Sequence, residues 1–435
     1  MVVPETTGCN VFRGIGRWER ERMIKRFFVA VVLLILVACR QTGQTPSEFG
    51  ASTPAPLSFG SSADDNSGGV AINAKIGAVF VTGSTYGSLD GPNQGGSDGY
   101  VRRYSRGGRV VWRRQFGTEQ YDYAGGVATD EEANVYVVGG TYGPTSQKAF
   151  IRKFNKNGTP IWTRVFSING RSTYAGSVRT DKNGYVYVAG GISDDSPSSA
   201  FPSYLRNYTP SGSVVWTRRQ DTGGVSTEAT SLGTDWQGNT YVGGRYRNDD
   251  YEESGYIFKY NSSGRLLWSK YLGTGMSLLD LEVRGDRIYV TGDVLTYDLD
   301  DFDYNAYVRK YTTDGSVLWT RQFGSNNGDG GWGISADSQG NAYVTGYTFG
   351  SFARRNLGNS DIYVRKYGRN GGVSWTRQFG SSQDDYPRDI TTSEGGGETY
   401  LFGTTNGNIG GPNHGGYDAF FRRLNGSDGS SIWTD

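Results

Sequence analysis

Seven versions of one short segment, each with a tryptophan at its centre, recur down the chain and limit its fold more than any other feature. The clearest version reads DGSVLWTRQFG, from Asp314 to Gly324. Successive tryptophans are 50, 54, 52, 51, 56 and 58 residues apart. They are Trp112, Trp162, Trp216, Trp268, Trp319, Trp375 and Trp433. A period of this length indicates repeat units that cannot bury their apolar faces alone and must therefore pack against one another.

Composition favours many short strands joined by tight turns. The 435 residues include 67 glycines and 14% aromatic residues, and helical periodicity is scarce beyond the N-terminus. A net charge of +1 gives no electrostatic footprint for nucleic acid. His414 is the single histidine, which leaves few routes to histidine-dependent chemistry, so we favour binding over catalysis. Cys9 and Cys39 both precede the repeats, which excludes a disulfide framework in the repeat region.

The N-terminus carries the pattern of an export signal. Residues 1–22 show no clear periodicity and are interpreted as a misassigned upstream extension, so Met23 is the expected start. Residues 23–38 predict a signal peptide, because basic residues precede an apolar run that is too short to span a bilayer. The tetrad Leu36-Val37-Ala38-Cys39 resembles the lipobox of bacterial lipoproteins. That resemblance implies cleavage before Cys39 and lipidation of its thiol.

The residues after this cysteine predict where the protein resides. Arg40 stands where an inner-membrane lipoprotein would carry aspartate, and resemblance to Gram-negative sorting then implies the outer membrane or cell surface. Residues 39–56 are rich in Thr, Ser, Gly and Pro and predict a flexible tether. We therefore expect an exported protein whose lipid anchor is its only attachment to the membrane.

From residue 57 onward, each repeat predicts four short strands. The first consists of small residues such as Gly333-Ile334-Ser335-Ala336, which suit a strand crowded against a central axis. The second, such as Ala342 to Gly346, is nearly all apolar, as expected of a strand covered on both faces. A variable loop leads to the third strand, such as Asp361 to Tyr367. A glycine turn then leads to the tryptophan strand, whose charged tail suits an exposed edge.

Four antiparallel strands repeated seven times predict an all-β fold, a seven-bladed β-propeller over residues 57–435. The chain stops at Asp435 without the RQFG tail of the other copies, whereas Leu57 to Gly60 supplies a tail-like piece with no tryptophan before it. The ring is therefore expected to close where the two ends of the propeller meet, within or beside a fourth strand. We expect this closed body to be monomeric.

The repeat resembles the bacterial β-propeller repeat called SBBP, with its GN-x-YV-x-G core, its GPN-x-GG-x-D loop and its LW-x-RQFG end. The loop form occurs at Gly91 to Asp98 and at Gly411 to Asp418. The resemblance covers residues 57–435 and implies an extracytoplasmic or surface protein without a common catalytic residue. The loops Ser193–Ser203, Arg245–Ser254 and Val294–Asn305 depart from the form, and specificity is expected there.

The loops between blades and those between second and third strands are expected to share one face, where binding sites of propellers usually lie. That face would collect acidic and aromatic residues, namely Asp64, Asp65, Tyr121, Asp122, Tyr123, Asp329, Trp332, Asp384, Asp385 and Tyr386. These residues suit a surface for an envelope protein or a glycan. They are equally typical of turns at the rim of a propeller.

Other side chains carry weaker signals. Four carboxylates, Asp298, Asp300, Asp301 and Asp303, are candidate calcium ligands, although the glycine that usually lets a calcium loop turn is missing. No other cofactor is expected. The repeat tryptophans are interpreted as packing residues, and the Arg/Lys pair in nearly every third strand as a structural feature.

The sequence thus favours a lipid-anchored extracytoplasmic propeller that acts as a binding or scaffolding module in the bacterial envelope. One alternative is a carbohydrate-active hydrolase or lyase with paired carboxylates on the loop face, which two buried carboxylates in one cleft would favour. Another is a scaffold for outer-membrane assembly like the propeller lipoprotein of that pathway, whose family has eight blades where seven are predicted here.

Overall fold

The computed structural model describes residues 58–193, 202–220, 226–248, 252–298 and 301–432, and their side chains except those of 296–298, 301 and 302. These residues form β-strands and turns without any helix, so none of them belongs to a helix able to cross a bilayer. The described residues all belong to one compact unit.

Twenty-nine strands occur in the described residues. In chain order they are β1 (Ser58–Phe59), β2 (Asp65–Asn73), β3 (Ala78–Thr85), β4 (Asp98–Ser105), β5 (Val110–Phe116), β6 (Asp122–Thr129), β7 (Val135–Tyr142), β8 (Gln147–Phe154), β9 (Pro160–Phe166), β10 (Ser172–Thr173), β11 (Ser177–Thr180), β12 (Val186–Ser193), β13 (Ser203–Tyr208), β14 (Val214–Gln220), β15 (Thr227–Thr234), β16 (Thr240–Arg247), β17 (Glu253–Tyr260), β18 (Leu266–Thr274), β19 (Asp280–Arg284), β20 (Arg287–Asp298), β21 (Asp301–Thr312), β22 (Val317–Phe323), β23 (Asp329–Ala336), β24 (Ala342–Thr348), β25 (Asp361–Tyr367), β26 (Val373–Phe379), β27 (Asp385–Thr392), β28 (Glu398–Thr405) and β29 (Asp418–Asn425).

These strands form seven antiparallel sheets, and each sheet is one blade of a seven-bladed β-propeller, as the sequence predicts. Blade 1 is β2–β5, and the following blades continue in chain order, with the first strand of each nearest the central axis. In blade 3 the first strand is split into β10 and β11, both of which pair with β12. The predicted fold class is therefore confirmed.

The ring closes in the last blade, where the two ends of the propeller meet. Strand β1 takes the outermost place beside β29, with Ser58 opposite Phe420 and Phe59 opposite Ala419. Further along β29, Leu424 makes an isolated bridge to Ser431. The two ends of the propeller therefore share the position of one fourth strand, which confirms the predicted closure near the termini.

The hydrophobic core lies between neighbouring blades rather than in one central cluster. Second strands are buried on both faces, and every described side chain of β3 from Ala78 to Gly83 is buried. Large aromatic residues fill the spaces between sheets, and Tyr100, Tyr204, Tyr256 and Tyr363 are each fully buried. Each blade therefore depends on both neighbours for its stability, as expected of repeats that cannot fold alone.

The prediction of a loop from Val294 to Asn305 is wrong. Strands β20 and β21 continue through most of it and pair up to Asp298 opposite Asp301, so this segment is a long β-hairpin. Apolar and polar residues alternate from Leu295 to Asp298, and that pattern supports strands. The cluster of carboxylates had pointed to a loop.

Candidate functional site

The first strands surround a central channel, and its wider cavity has a volume of about 380 Å³. Tyr123 and Tyr174, near the starts of first strands, line this cavity together with Arg245, near the end of β16. Asp293 also lines it, from the equivalent place in the longer strand β20. The cavity therefore opens on the face that carries the inter-blade loops and the second-to-third loops. We call this opening the wide mouth.

The channel wall is asymmetric although the blades are repeats. Gly68, Gly125 and Gly176 occupy one equivalent position in the first three blades, where blades 6 and 7 carry Trp332 and Arg388. The three glycines leave their part of the channel open, whereas the side chains of Trp332 and Arg388 fill theirs. The cavity is therefore shaped by departures from the repeat.

Two carboxylates enter the channel where five other blades have glycine or serine. Asp280 and Asp389 occupy the position that is Gly69 in blade 1 and Gly126 in blade 2. Each bridges to the first strand of the next blade, since Ile334 N donates to Asp280 Oδ2 at 2.7 Å and Val70 N donates to Asp389 Oδ2 at 2.8 Å. Both carboxylates thus have a structural partner as well as a place in the cavity wall.

Burial raises the pKa of two carboxyl groups in this wall. The pKa of Asp389 is raised to about 7, first by burial and then by the negative charge of Asp280, while Arg179 opposes the rise. Burial likewise raises the pKa of Asp293 to about 7, against the opposing effect of Arg245. Carboxyl groups with such pKa values can give or take a proton near neutral pH, which is a property of many functional sites.

A second cavity, of about 230 Å³, lies towards the first-to-second turns at the other end of the channel. Glu282 and Arg284 line it, and Val127, Arg179 and Asp389 line both cavities. The last three residues therefore lie at the level where the two cavities meet. Burial raises the pKa of Glu282, and the positive charge of Arg284 opposes that rise.

Polar side chains at the wide mouth hold one another in place. Arg245 forms an ion pair with Glu228, and the hydroxyl of Tyr174 donates to Glu228 Oε1 at 3.1 Å. The amide of Gln147 donates to the hydroxyl of Tyr123 at 3.0 Å. A fixed set of donors and acceptors around a cavity is suited to binding a polar ligand in one orientation.

Aromatic rings extend the wide mouth outward. The ring centroids of Trp332 and Tyr347 are 6.1 Å apart, and those of Tyr347 and Tyr386 are 6.2 Å apart, all in edge-on contacts. Trp332 and Tyr386 also line a further hollow of about 290 Å³ beside the channel. Such rings present flat apolar surfaces with polar edges to a ligand.

Four of the six acidic residues expected on this face are elsewhere. Asp65, Asp122, Asp329 and Asp385 are at most 4% exposed, so they lie between blades rather than on the surface. Each accepts hydrogen bonds from the residue four positions earlier, as Asp122 does from Thr118 N at 2.7 Å. These carboxylates organise the inter-blade loops. Tyr121, Tyr123, Trp332 and Tyr386 do lie at or near the wide mouth.

The candidate calcium ligands lie at the tip of the β20–β21 hairpin. Asp298 pairs opposite Asp301 in the backbone register, and Asp300 lies outside the described residues. Asp303 Oδ1 accepts a hydrogen bond from Tyr304 N at 2.9 Å. Among the described residues, no three His, Cys, Asp or Glu side chains are grouped so that they could hold a metal ion. The calcium site stays a prediction.

The repeat tryptophans lie at blade interfaces as far as they are described. Trp112, Trp216 and Trp375 are buried, whereas Trp162, Trp268 and Trp319 are half-buried. Trp433 and the proposed lipidation residue Cys39 lie outside the described residues.

The Arg/Lys pairs of the third strands lie between rings and turns of adjacent elements. The guanidinium of Arg365 lies 4.4 Å from the centroid of Phe323, and Lys366 Nζ donates to the carbonyl of Gly426 at 2.8 Å. These contacts link blade 6 to both of its neighbours. They give the pairs a structural role.

Sequence reasoning missed Asp280, Asp389, Arg179 and Glu228. An alignment of the first strands contains the signal for Asp280, Asp389 and Arg179, because most other blades have a small residue at their positions. Glu228 is the one charged residue at a position where three other blades have tyrosine. The first strand of blade 5 has lost the small-residue pattern altogether, and that loss obscured its alignment with the others.

Two stretches match the family model of the SBBP beta-propeller repeat, at residues 111–144 and 318–353. Each runs from a fourth strand through the second strand of the next blade, so the sequence repeat is offset from the structural blade. These matches support the resemblance over two of the seven repeats. No curated protein matches the sequence.

Solved structures share the fold at low identity. The beta-propeller domain of the trilobed protease from Pyrococcus furiosus has a TM-score of 0.50 at 9% identity, over 87% of this chain and 99% of that one. It is described as having an open velcro topology, whereas β1 here pairs within the last blade. A puromycin hydrolase S511A mutant has a TM-score of 0.50 at 11% identity, over 86% of this chain and 55% of that one. At these identities the likeness shows the fold alone.

Proposed function

We propose that this protein is an exported, lipid-anchored propeller that binds a polar ligand at the wide mouth of its channel. One observation carries the proposal. Side chains that break the repeat converge on this single opening, including Glu228, Arg245, Asp293, Trp332 and Arg388. A propeller that served only as a spacer would have no need to differ from its own repeat at one end of the channel.

The chemistry of the mouth suits a glycan of the envelope or a segment of an envelope protein. Acidic and basic groups are mixed, so recognition depends on directed hydrogen bonds rather than on net charge. Trp332 and Tyr386 offer surfaces on which a sugar ring or an aromatic side chain would stack.

Attachment to the membrane rests on the lipobox that ends in Cys39. A lipid on this residue would hold the protein at the outer membrane or cell surface, with the tether over residues 39–56 between lipid and propeller. Cys39→Ser is expected to abolish incorporation of labelled fatty acid and to release the protein from membranes. Unchanged labelling would contradict the anchor.

Affinity capture from detergent-solubilised envelopes, followed by an array of envelope glycan fragments, tests the binding function. Trp332→Ala is expected to weaken the captured interaction at least about tenfold, in line with the loss of a buried aromatic contact. The matched control is Trp236→Ala, because Trp236 is 66% exposed in the first-to-second turn of blade 4, at the other end of the channel. Equal binding by both variants would place the ligand elsewhere.

A carbohydrate-active enzyme is a second candidate, favoured by Asp280 and Asp389 in one cavity. With its raised pKa, Asp389 suits a proton donor, and a second carboxylate could act as base or nucleophile. Release of reducing sugar from envelope glycans, lost in Asp389→Asn, would favour catalysis. Binding without turnover would favour the binding module.

An assembly scaffold for outer-membrane proteins receives less support, since the resembling lipoproteins have eight blades and this ring has seven. Capture of one dominant envelope protein, unaffected by Trp332→Ala, would favour that role.

A further inference from the structure

Exposed aliphatic side chains are concentrated on the outer edge of the propeller. Among the described residues, Val165 and Leu357 are the only exposed Val, Leu or Ile that do not lie directly before a repeat tryptophan. The others, each 40 to 55% exposed, are Val110, Val111, Ile161, Val214, Val215, Leu266, Leu267, Val317, Leu318, Val373 and Ile432. We call these eleven residues the aliphatic belt.

The belt occupies equivalent positions in all seven blades. Its members stand one or two residues before each repeat tryptophan, and those in blades 1–6 begin the fourth strand just after the third-to-fourth turn. Because the blades are arranged in a ring, equivalent positions lie at the same height around the rim. The belt is therefore on the side of the disc opposite the wide mouth.

An exposed apolar feature that recurs in every blade calls for a partner. Single exposed aliphatic residues are ordinary on protein surfaces. Charged residues on an outermost strand help to prevent association with other chains. The outermost strands of this propeller nevertheless begin with exposed aliphatic residues in every blade. A partner that contacts all seven blades at once has to be a wide and flat surface.

The turns beside the belt carry an excess of positive charge. The third-to-fourth turns, at the rim, hold five exposed basic residues, Arg106, Arg109, Lys156, Arg265 and Arg369, against the two exposed acidic residues Asp314 and Asp428, and Arg106 forms an ion pair with Glu398. The first-to-second turns of the same face, nearer the axis, hold exposed Lys75 and Lys182 against Glu131, Glu132, Asp286 and Glu394, so the positive excess is confined to the rim. A rim that combines aliphatic side chains with arginine and lysine matches the boundary of a bilayer, where acyl chains meet phosphate headgroups.

The direction of β1 shows from which side the chain enters the propeller. Strand β1 runs antiparallel to β29, as every fourth strand runs antiparallel to its third strand, so it is directed away from the third-to-fourth turns. Its first residue, Ser58, therefore points to the belt side, from a place opposite Phe420 in the half of β29 nearer the wide mouth. A lipid on Cys39 would thus be connected to the disc through the end of β1 that points to the belt side.

We propose that the aliphatic belt rests on the lipid bilayer to which the protein is anchored, with the wide mouth facing away from the membrane. This inference rests on the lipid anchor of the proposed function. The anchor keeps the disc close to the bilayer, so that many shallow contacts suffice to orient it. The orientation leaves the channel mouth open to ligands that approach from the aqueous side.

Two cysteine probes test the orientation. The propeller itself contains no cysteine, so the acylated protein can be labelled at one introduced site with a polarity-sensitive fluorophore. Asn157→Cys places the label in a third-to-fourth turn, and Asn406→Cys places it in a second-to-third loop, with both positions exposed. In vesicles of phosphatidylethanolamine and phosphatidylglycerol, emission at 157 is expected to shift to the blue, while emission at 406 stays unchanged. Equal emission at the two sites would overturn the proposal.

A belt variant tests the contact itself. Leu266→Ser, Leu267→Ser, Val317→Ser and Leu318→Ser are combined, and the expected result is loss of the blue shift at 157 with acylation intact. The matched control changes four exposed apolar residues away from the belt, Val165→Ser, Tyr142→Ser, Phe349→Ser and Leu357→Ser, and should keep the shift. A shift that survives in the belt variant would overturn the proposal. If the belt variant misfolds, the two cysteine probes in the protein with an intact belt still test the proposed orientation.

A flotation experiment distinguishes failure of the proposed lipid anchor from failure of the belt proposal. Flotation of the Cys39→Ser chain with excess vesicles measures the belt without the lipid, and binding is expected to fall at least about tenfold when the four serines are added. If Cys39 carries no lipid in cells, the proposed anchor is wrong, yet loss of flotation in the belt variant would still support the bilayer contact. If Cys39 is acylated and the belt variant behaves like its control, the belt proposal alone is wrong.

Discussion

The indole nitrogen of Trp112 donates a hydrogen bond of 2.9 Å to the backbone carbonyl of Lys156, which lies in the third-to-fourth turn of the next blade. The same bond recurs around the ring at 3.0 to 3.3 Å. Its donors are Trp162, Trp216, Trp268, Trp319 and Trp375. The basic residue two places later adds a second bond, as Arg114 does to the carbonyl of Gly158 at 3.0 Å. The repeat tryptophan therefore joins blades as well as filling space.

Trp216→Phe tests this link. The substitution removes the bond from Trp216 to Ser262 and shrinks the ring at a buried interface, so the free energy of unfolding is expected to fall by roughly 1–3 kcal/mol. Urea denaturation measures the change. Trp236→Phe, in an exposed turn, should change it by less than about 0.5 kcal/mol. Similar values for the two variants would contradict the role of the indole bond.

Gly371→Ala tests the fit between tryptophan and turn. Gly371 has a φ of +79°, and an added Cβ would lie 2.9 Å from the ring of Trp319, so both strain and overlap are expected. We expect a loss of more than about 1 kcal/mol in the free energy of unfolding. The neighbouring Gly372→Ala is the control, because nothing lies within 4 Å of its Cβ and its φ is unstrained. A neutral Gly371→Ala would show that the turn adjusts.

Asp293 predicts a pH dependence of stability. Its pKa is raised from 3.8 to about 7 in the folded protein, so the folded state binds a proton more tightly than the unfolded chain does. This contribution to stability is fully present below pH 3.8 and is lost as the pH rises through about 7. Asp293→Asn should flatten the fall in Tm between those limits, and its amide oxygen can still accept the bond from Gly331 N. An unchanged pH profile would show that Asp293 is not the titrating group.

Phe59→Ala tests the closure of the ring. Phe59 lies in β1, with its ring centroid 5.9 Å from Tyr100 and 6.3 Å from Phe402, and with the guanidinium of Arg102 3.8 Å away. Its truncation is expected to cost about 3–5 kcal/mol and to speed limited proteolysis near the N-terminus of the propeller. Phe349→Ala is the control, since that ring is 43% exposed. Equal stability of the two variants would show that β1 contributes little to closure.

Particular residues show why the fold could be predicted and the site only in part. Tryptophans at regular spacing, Gly turns and apolar second strands obey local rules that each blade repeats, so blade number and closure followed from the sequence. The wide mouth depends instead on single departures such as Glu228 and Asp389, which come to line one cavity only when the blades form a ring. Asp122 shows the opposite error. Its polarity indicated a surface position, but the inter-blade loop supplies hydrogen bonds that allow the carboxylate to be buried.

Calcium binding at the β20–β21 hairpin is a further prediction from the sequence. Asp298, Asp300, Asp301 and Asp303 lie within six residues, and an extracytoplasmic site of this kind would have a Kd of roughly 0.5 mM. At about 5 mM calcium, such a site would add about 1.4 kcal/mol to the free energy of unfolding. Asp301→Asn combined with Asp303→Asn should abolish the rise in Tm, and magnesium at equal concentration serves as the ionic control. A rise that both cations produce equally, or that survives in the double variant, would place the effect outside the hairpin.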